Sequence, residues 1–209
     1  MKFTKMKKQM NRDKYNMSFS TGALFKRESL LVASIFTNVK DWNLVKKYVF
    51  EHNTFQARTV STLQKIYGEI SSRLQHLTDE EISLLNILND NEQGYILWIA
   101  ICRKYRFISE FAREVVRERF LSHQNIISCD CYNIFFNAKA DWEHNLDSLS
   151  LNTQKKLRQI LFRMLREANL LSSDNRIIPV VCSQRMEGVF KEANNFLFFP
   201  VQIADGWSR

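Results

Sequence analysis

Proline, glycine and cysteine are all scarce in this 209-residue chain, and each scarcity excludes something. The two Pro, Pro179 and Pro200, both lie near the C-terminus, so nothing before Pro179 forbids a helix interior. The five Gly form no phosphate-cradling G-x-x-x-x-G-K-[ST] loop. The four Cys, at 102, 129, 131 and 182, are too few in a chain this long for a disulfide framework. Cys129 and Cys131 are spaced C-x-C with no second pair nearby, and His52, His76, His123 and His144 do not complete a zinc set. No metal and no cofactor are expected. There is no H-E-x-x-H and no G-x-S-x-G. Asp141, Glu143 and His144 make a fragment that a metal-dependent nuclease would have to complete with further carboxylates and a Lys. The expectation is a protein that is not an enzyme.

Long apolar runs are absent too. The longest, YILWIAIC at 95–102 and NFLFFPVQI at 195–203, fall well short of the ~20 residues a spanning helix needs. The basic N-terminus is not followed by an apolar segment of secretory type. These absences predict a soluble, cytoplasmic chain with no membrane partner.

What is present is helical. Leu, Ile and Phe recur three and four apart, and sixteen Phe and four Trp supply large core side chains. The fold class is all-α. The charge is unevenly placed: residues 1–14 hold six basic residues against Asp13, a net +5 of the chain's +8. Any basic patch on the folded body must therefore be local, and residues 1–15 read as a basic disordered arm.

Ser20 or Thr21 is placed to cap a helix through Leu24, Leu30, Leu31, Ile35 and Phe36, and Asp41 to cap a second with Trp42, Val45, Tyr48 and Val49 on one side. Ser18, Ser20, Thr21 and Gly22 also suit a phosphate-facing turn, although a cap and bend explains them more simply. A third helix from about Thr54 to Leu77 carries Gln56 and Arg58 on its polar side. Thr78-Asp79-Glu80-Glu81 is a capping box. Glu92–Tyr105 is apolar on more than one face and reads as the central helix, with Cys102 a buried small hydrophobe. Ile108–Leu121 places Arg113, Glu114, Arg117, Glu118 and Arg119 on a solvated face. Asp130 is placed to cap a short helix, with Trp142 and Leu149 as later anchors. The organisation expected is an arm (1–15), an N-terminal helical domain (16–122) and a C-terminal module with its tail (123–209).

The C-terminal module carries the chemistry. TQKKLRQILFRMLREANLL, beginning at Thr153 as a candidate cap, has Leu157, Ile160, Leu161, Met164, Leu165 and Ala168 on one face. Lys156, Gln159, Arg163 and Arg166 step by three and four down another, flanked by Lys155 and Arg158. Lys and Arg neutralise phosphates or donate to guanine edges, and Gln reads adenine. Asn169 is suited to a left-handed helix stop. Ser172-Ser173-Asp174-Asn175 is turn chemistry, and Arg176–Val181 reads as an edge strand interrupted by Pro179. Helix, turn and strand predict a winged-helix-like module with a small β-hairpin, where Arg176 would meet phosphates from the wing. A solvated basic face, an RNA contact or an acidic protein surface would use the same residues.

At this point the chain resembles a known family. The blocks that carry the resemblance are YNMSFSTGALFKRESL (15–30), QARTVSTLQKI (56–66), LWIAICRKYRFISEFAREVVRERF (97–120), FFNAKADW (135–142) and LSLNTQKKLRQILFRMLREANLL (149–171). They resemble the BrxA family of bacterial BREX phage-defence systems, once catalogued as inner-membrane proteins of unknown function. The resemblance implies a helical bundle like the NusB antitermination fold and a winged-helix character at the C-terminus. It implies a non-catalytic accessory that binds double-stranded DNA beside other BREX components. Docking onto those components, or RNA binding in the manner of an antitermination factor, are the alternatives. The residues expected to touch nucleic acid are Gln56, Arg58, Lys155, Lys156, Gln159, Arg163, Arg166 and Arg176. The tail after residue 182 has no expected role.

Overall fold

The computed structural model of the protein describes residues 15–19, 22–181 and 183–201. Most of the basic arm, Cys182 and the last eight residues lie outside that range. Among the described residues the chain is helical: α1 (Lys26–Val39), α2 (Trp42–Glu51), α3 (Val60–Leu74), α4 (Asp79–Leu84), α5 (Asp90–Lys104) and α6 (Arg106–Phe111). A π-helical turn (Ala112–Arg117) leads into α7 (Glu118–Leu121). Then come α8 (Cys129–Ala140), α9 (His144–Asp147), α10 (Leu151–Glu167), α11 (Gln184–Lys191) and a 3₁₀ segment, Glu192–Phe198.

The capping chemistry explains most starts. Asp41 accepts from the amides of Asn43 and Leu44, and Thr78 and Glu81 form the reciprocal capping box. Asn89 accepts from the Glu92 amide and so opens α5. That helix is buried continuously from Gly94 to Cys102, as its all-round apolar sequence predicts. It packs against α1, α3, α10 and the 3₁₀ segment. Gly94 makes the contact with α10 possible: a Cβ there would sit 3.3 Å from the Ala168 Cα. Gly94→Leu is expected to cost about 1–3 kcal/mol by overpacking. Urea denaturation should show a lower midpoint with an unchanged slope.

Several local expectations are corrected. Ser20 and Thr21 lie outside the described residues. Helix α1 starts only at Lys26, after Phe25 in the left-handed region and without a side-chain cap. Tyr15 belongs to the core rather than the arm. Its ring meets Phe107 edge-on at 5.6 Å, its hydroxyl donates to Glu110, and its carbonyl accepts from Asn145 at 2.7 Å. The third helix begins at Val60, capped by Thr59, because Asn53 closes the preceding loop with reciprocal bonds to Ala57 at 3.0 Å. Ser128, not Asp130, caps α8, and Ser150, not Thr153, caps α10. Leu149 packs against the core, whereas Trp142 is 88% exposed and anchors nothing.

Two corrections are larger. The π-helical turn inserts extra backbone into the helix after Phe111, which shifts the facing register by about one residue. Val116 and Arg117 therefore turn inward, and Arg117 is 5% exposed instead of solvated. Its guanidinium donates to the carbonyls of Phe199 and Val201 at 3.1 and 3.0 Å and lies over the Phe196 ring. The tail thus has a role. Phe190, Phe196 and Phe199 are buried, Tyr95 meets Phe199 edge-on, and the Trp98 indole donates to the Phe198 carbonyl at 3.1 Å. Residues 184–201 close the central helix.

The β-hairpin is not there. Among the described residues two isolated antiparallel bridges replace it, Leu171 with Ile177 and Ile126 with Arg176. On one side the pairing ends at Leu170, whose carbonyl accepts from the Ile178 amide at 3.0 Å but whose own amide is committed to the Leu165 carbonyl of the helix stop. Beyond Ile178, Pro179 has no amide to donate, and the Val180 amide turns to Pro200 at 3.1 Å.

Candidate nucleic-acid interface

Helix α10 owes its orientation to its apolar face. Leu157, Ile160, Leu161, Phe162, Met164 and Leu165 are buried, which leaves Lys155, Lys156, Gln159, Arg163 and Arg166 exposed along one stripe. The helix stops where Asn169 adopts the left-handed conformation, at φ 54°, in place of a glycine. The turn after it is built by Ser172, whose amide donates to the Arg176 carbonyl and whose hydroxyl accepts from the Arg176 amide, both at 2.9 Å.

The arginines on this surface are held. Arg163 donates to Glu167 at 2.8 Å, Arg166 to the Asn175 side chain at 2.6 Å, and Arg176 to Asp174 at 2.8 Å. The Ser172 hydroxyl and the Arg176 guanidinium hold the Asp174 carboxyl below the usual carboxylate range. Glu167 also accepts from the Leu24 amide at 2.7 Å, so it ties the end of α10 to the start of α1. Lys155 and Lys156 make no hydrogen bond or ion pair among the described residues. Sequence reading missed that Asp174 and Asn175 steer the guanidinia. The turn composition was the available signal, since Asp and Asn accept from such donors as readily as they form turns.

Six of the eight expected residues therefore share one surface: five on α10, and Arg176 joined to them through Arg166 and Asn175. The other two stand elsewhere. Gln56, at φ 53°, and Arg58 are exposed on the α2–α3 loop, and no hydrogen bond or ion pair among the described residues connects that loop to α10. Beside Arg163 lies an open groove of about 490 Å³ lined by Gly22, Phe25, Lys26, Glu28, Asp90 and Glu167, among others. Its three carboxylates against Lys26 and Arg163 make it a poor seat for an anion. Gly22 sits at φ +91°, a conformation that requires glycine, but its hydroxyl neighbours Ser20 and Thr21 lie outside the described residues.

No described helix is long and apolar enough to cross a membrane. The BrxA family model matches residues 13–194. A curated relative from Bacillus cereus (strain H3081.97), a BREX protein BrxA, is 29% identical over 129 residues, which cover 62% of this chain and 64% of that relative's length. A second BREX protein BrxA, from Escherichia coli O9:H4 (strain HS), is 23% identical over 155 residues, covering 74% of this chain and 73% of the relative. Among solved structures, an uncharacterized protein from Magnetospirillum magneticum superposes with a TM-score of 0.74 at 16% identity, over 88% of this chain and 96% of the other. That likeness concerns the fold.

Proposed function

The chain belongs to the BrxA family, and from that premise we propose that it is a non-catalytic, double-stranded-DNA-binding accessory of a BREX phage-defence system. The observation that carries the reading is the α10 stripe, where Lys155, Lys156, Gln159, Arg163 and Arg166 face solvent on a helix whose other face is buried. Arg176 extends it at the following turn, in a winged-helix-like layout without a strand-built wing. The helices before it, in this reading, form the NusB-type body that presents the stripe.

The mechanism is phosphate contact. Exposed pairs such as Arg163–Glu167 contribute little, about 0–1 kcal/mol, so a phosphate displaces the carboxylate at small cost. Their partners keep the guanidinia ordered on the free protein, which lowers the entropy lost on binding. Lys155 and Lys156 meet phosphates directly. Such contacts position a duplex without reading its sequence, so recognition is weakly sequence-specific.

Fluorescence anisotropy with labelled duplexes tests this. Affinity should fall steeply with salt, the logarithmic slope being about −0.9 per phosphate contact, and unrelated sequences should bind within a few-fold of one another. No binding at low salt, or salt-indifferent affinity, overturns the reading. Preference for single-stranded RNA in competition would move it to an antitermination-like role. Capture of BREX components after nuclease treatment, with no DNA affinity, would move it to assembly.

A further inference from the structure

One cleft beside the stripe stands out for an unmet hydrogen bond. It lies between α8 and α10, has a volume of about 280 Å³, and is lined by Tyr132, Asn133, Phe136 and Asn137 on one side and Leu151, Gln154, Lys155 and Arg158 on the other. Tyr132 is 2% exposed, and its hydroxyl has no hydrogen-bond partner among the described residues. A buried phenol normally finds a partner, because leaving the group unpaired forfeits its hydration. Its ring is fixed from behind by Phe111, Phe107 and Phe136, with centroids 5.9–6.0 Å away, so the hydroxyl cannot swing elsewhere without breaking that packing.

The groups around it point to one ligand class. Arg158 is close enough for its charge to act on the Tyr132 phenol, whose ionisation is otherwise pushed up by burial. Its guanidinium is parked on the Asn133 side chain at 2.9 Å, a neutral acceptor and not a carboxylate. Among the described residues Lys155 makes no hydrogen bond or ion pair, and none of those lining the cleft is Asp or Glu. Two cations, the Asn and Gln amides and a spare hydroxyl, with no acid, are the donors an oxyanion requires. The mixed-charge groove beside Arg163 is the contrasting case.

We propose that this cleft seats a phosphate group of the nucleic-acid backbone, held by Lys155 and Arg158 at the rim and by the Tyr132 hydroxyl at the floor. The inference rests on the DNA-binding reading and adds a site to it. Lys155 belongs to both the stripe and the cleft, so a backbone following the stripe passes its mouth. The hydroxyl has no open surface in the free protein. The phosphate reaches it as Arg158 leaves Asn133, a rotamer change of the size common at interfaces.

Tyr132→Phe, Arg158→Gln and Lys156→Glu proteins should be compared with the parent by duplex anisotropy over a salt series. The Tyr132 Cζ resonance of ¹³C-labelled protein should be followed as inorganic phosphate is added. Tyr132→Phe should fold with an undiminished melting temperature, since its lost hydroxyl had no partner. It should bind duplex about tenfold more weakly, with an unchanged salt slope. Arg158→Gln should weaken binding and flatten the slope by about one contact. Phosphate should move the Tyr132 resonance in the parent protein. If Tyr132→Phe and Arg158→Gln bind like the parent while Lys156→Glu binds poorly, the cleft is not a phosphate seat, yet the stripe stands. If the parent does not bind DNA but phosphate moves the resonance, the cleft holds phosphate from another source and only the nucleic-acid reading falls. If neither happens, both fall.

Discussion

Reversing the charge at Lys156, Arg163 and Arg166 together is expected to weaken duplex binding by at least about a hundredfold at physiological salt, and to flatten the salt slope by about 2.7. The slope follows from three lost phosphate contacts at about 0.9 each. The size follows from placing three repulsive charges where three attractive ones stood. All three side chains are exposed, and their ties to Glu167 and Asn175 are single surface contacts. The melting temperature should therefore change little. Reversing Lys46 and Lys47 on α2 adds the same charge change per residue at a different place. If that pair weakens binding equally, per charge, the interaction is diffuse attraction to a basic protein and the stripe has no special role. A smaller loss per charge at Lys46 and Lys47 assigns the contact to α10.

The second large effect concerns the interior. Glu69→Ala is expected to destabilise the protein by about 3–5 kcal/mol, because it strands a buried cation. Arg73 donates to Glu69 at 2.7 Å with its side chain 4% exposed, and Lys104 reaches the same carboxylate at 3.1 Å. The Tyr105 hydroxyl donates to it at 2.6 Å. Against a total stability of about 5–15 kcal/mol, that loss is a large fraction. Urea denaturation at neutral pH measures it, and a loss under about 1 kcal/mol would mean the cluster relaxes onto water.

The same residue governs an acid limb. Burial alone would raise the Glu69 carboxyl, but Arg73, the Tyr105 hydroxyl and Lys104 outweigh it and hold it below the ordinary carboxylate range. A depressed folded value means the stabilisation is present above the unfolded value of about 4.3 and disappears as pH falls through the folded one. Parent stability should therefore decline from about pH 5 downward. Glu69→Gln should show a shallower decline. It should not be flat, since Lys139, Tyr15 and Arg106 hold Glu110 low in spite of its burial, and the hydrogen bonds from Ser183 and Asn89 do the same for Glu92.

The helical class, the central helix, the capping box and the buried face of α10 were all legible in the sequence. They depend on spacing along one element, and an apolar face repeating every three or four residues is visible without knowing its neighbour. The basic stripe was legible for the same reason, since fixing the buried side of α10 fixes the exposed one. Ser128 and Thr59 were harder, because several polar residues near a helix start compete for the cap and only backbone geometry chooses among them.

Tertiary structure alone decided the rest. Arg117 has the sequence signature of a solvated helix residue. A π-helical turn rotates it inward, where it binds three backbone carbonyls of the tail. The predicted strand after Asn175 has good local propensity, but its two neighbours offer one bridge each and Pro179 ends the pairing. Strand formation needs a partner of sufficient length, and propensity does not supply one. Tyr132 looks like any core aromatic until the fold brings the Arg158 charge to bear on its phenol and leaves its hydroxyl unpaired among the described residues. The sequence by itself determined which faces are apolar and which are basic, because those are properties of single helices. Which charges meet, which polar groups go unpaired and what the tail covers depend on residues far apart in the chain, and only their packing decided that.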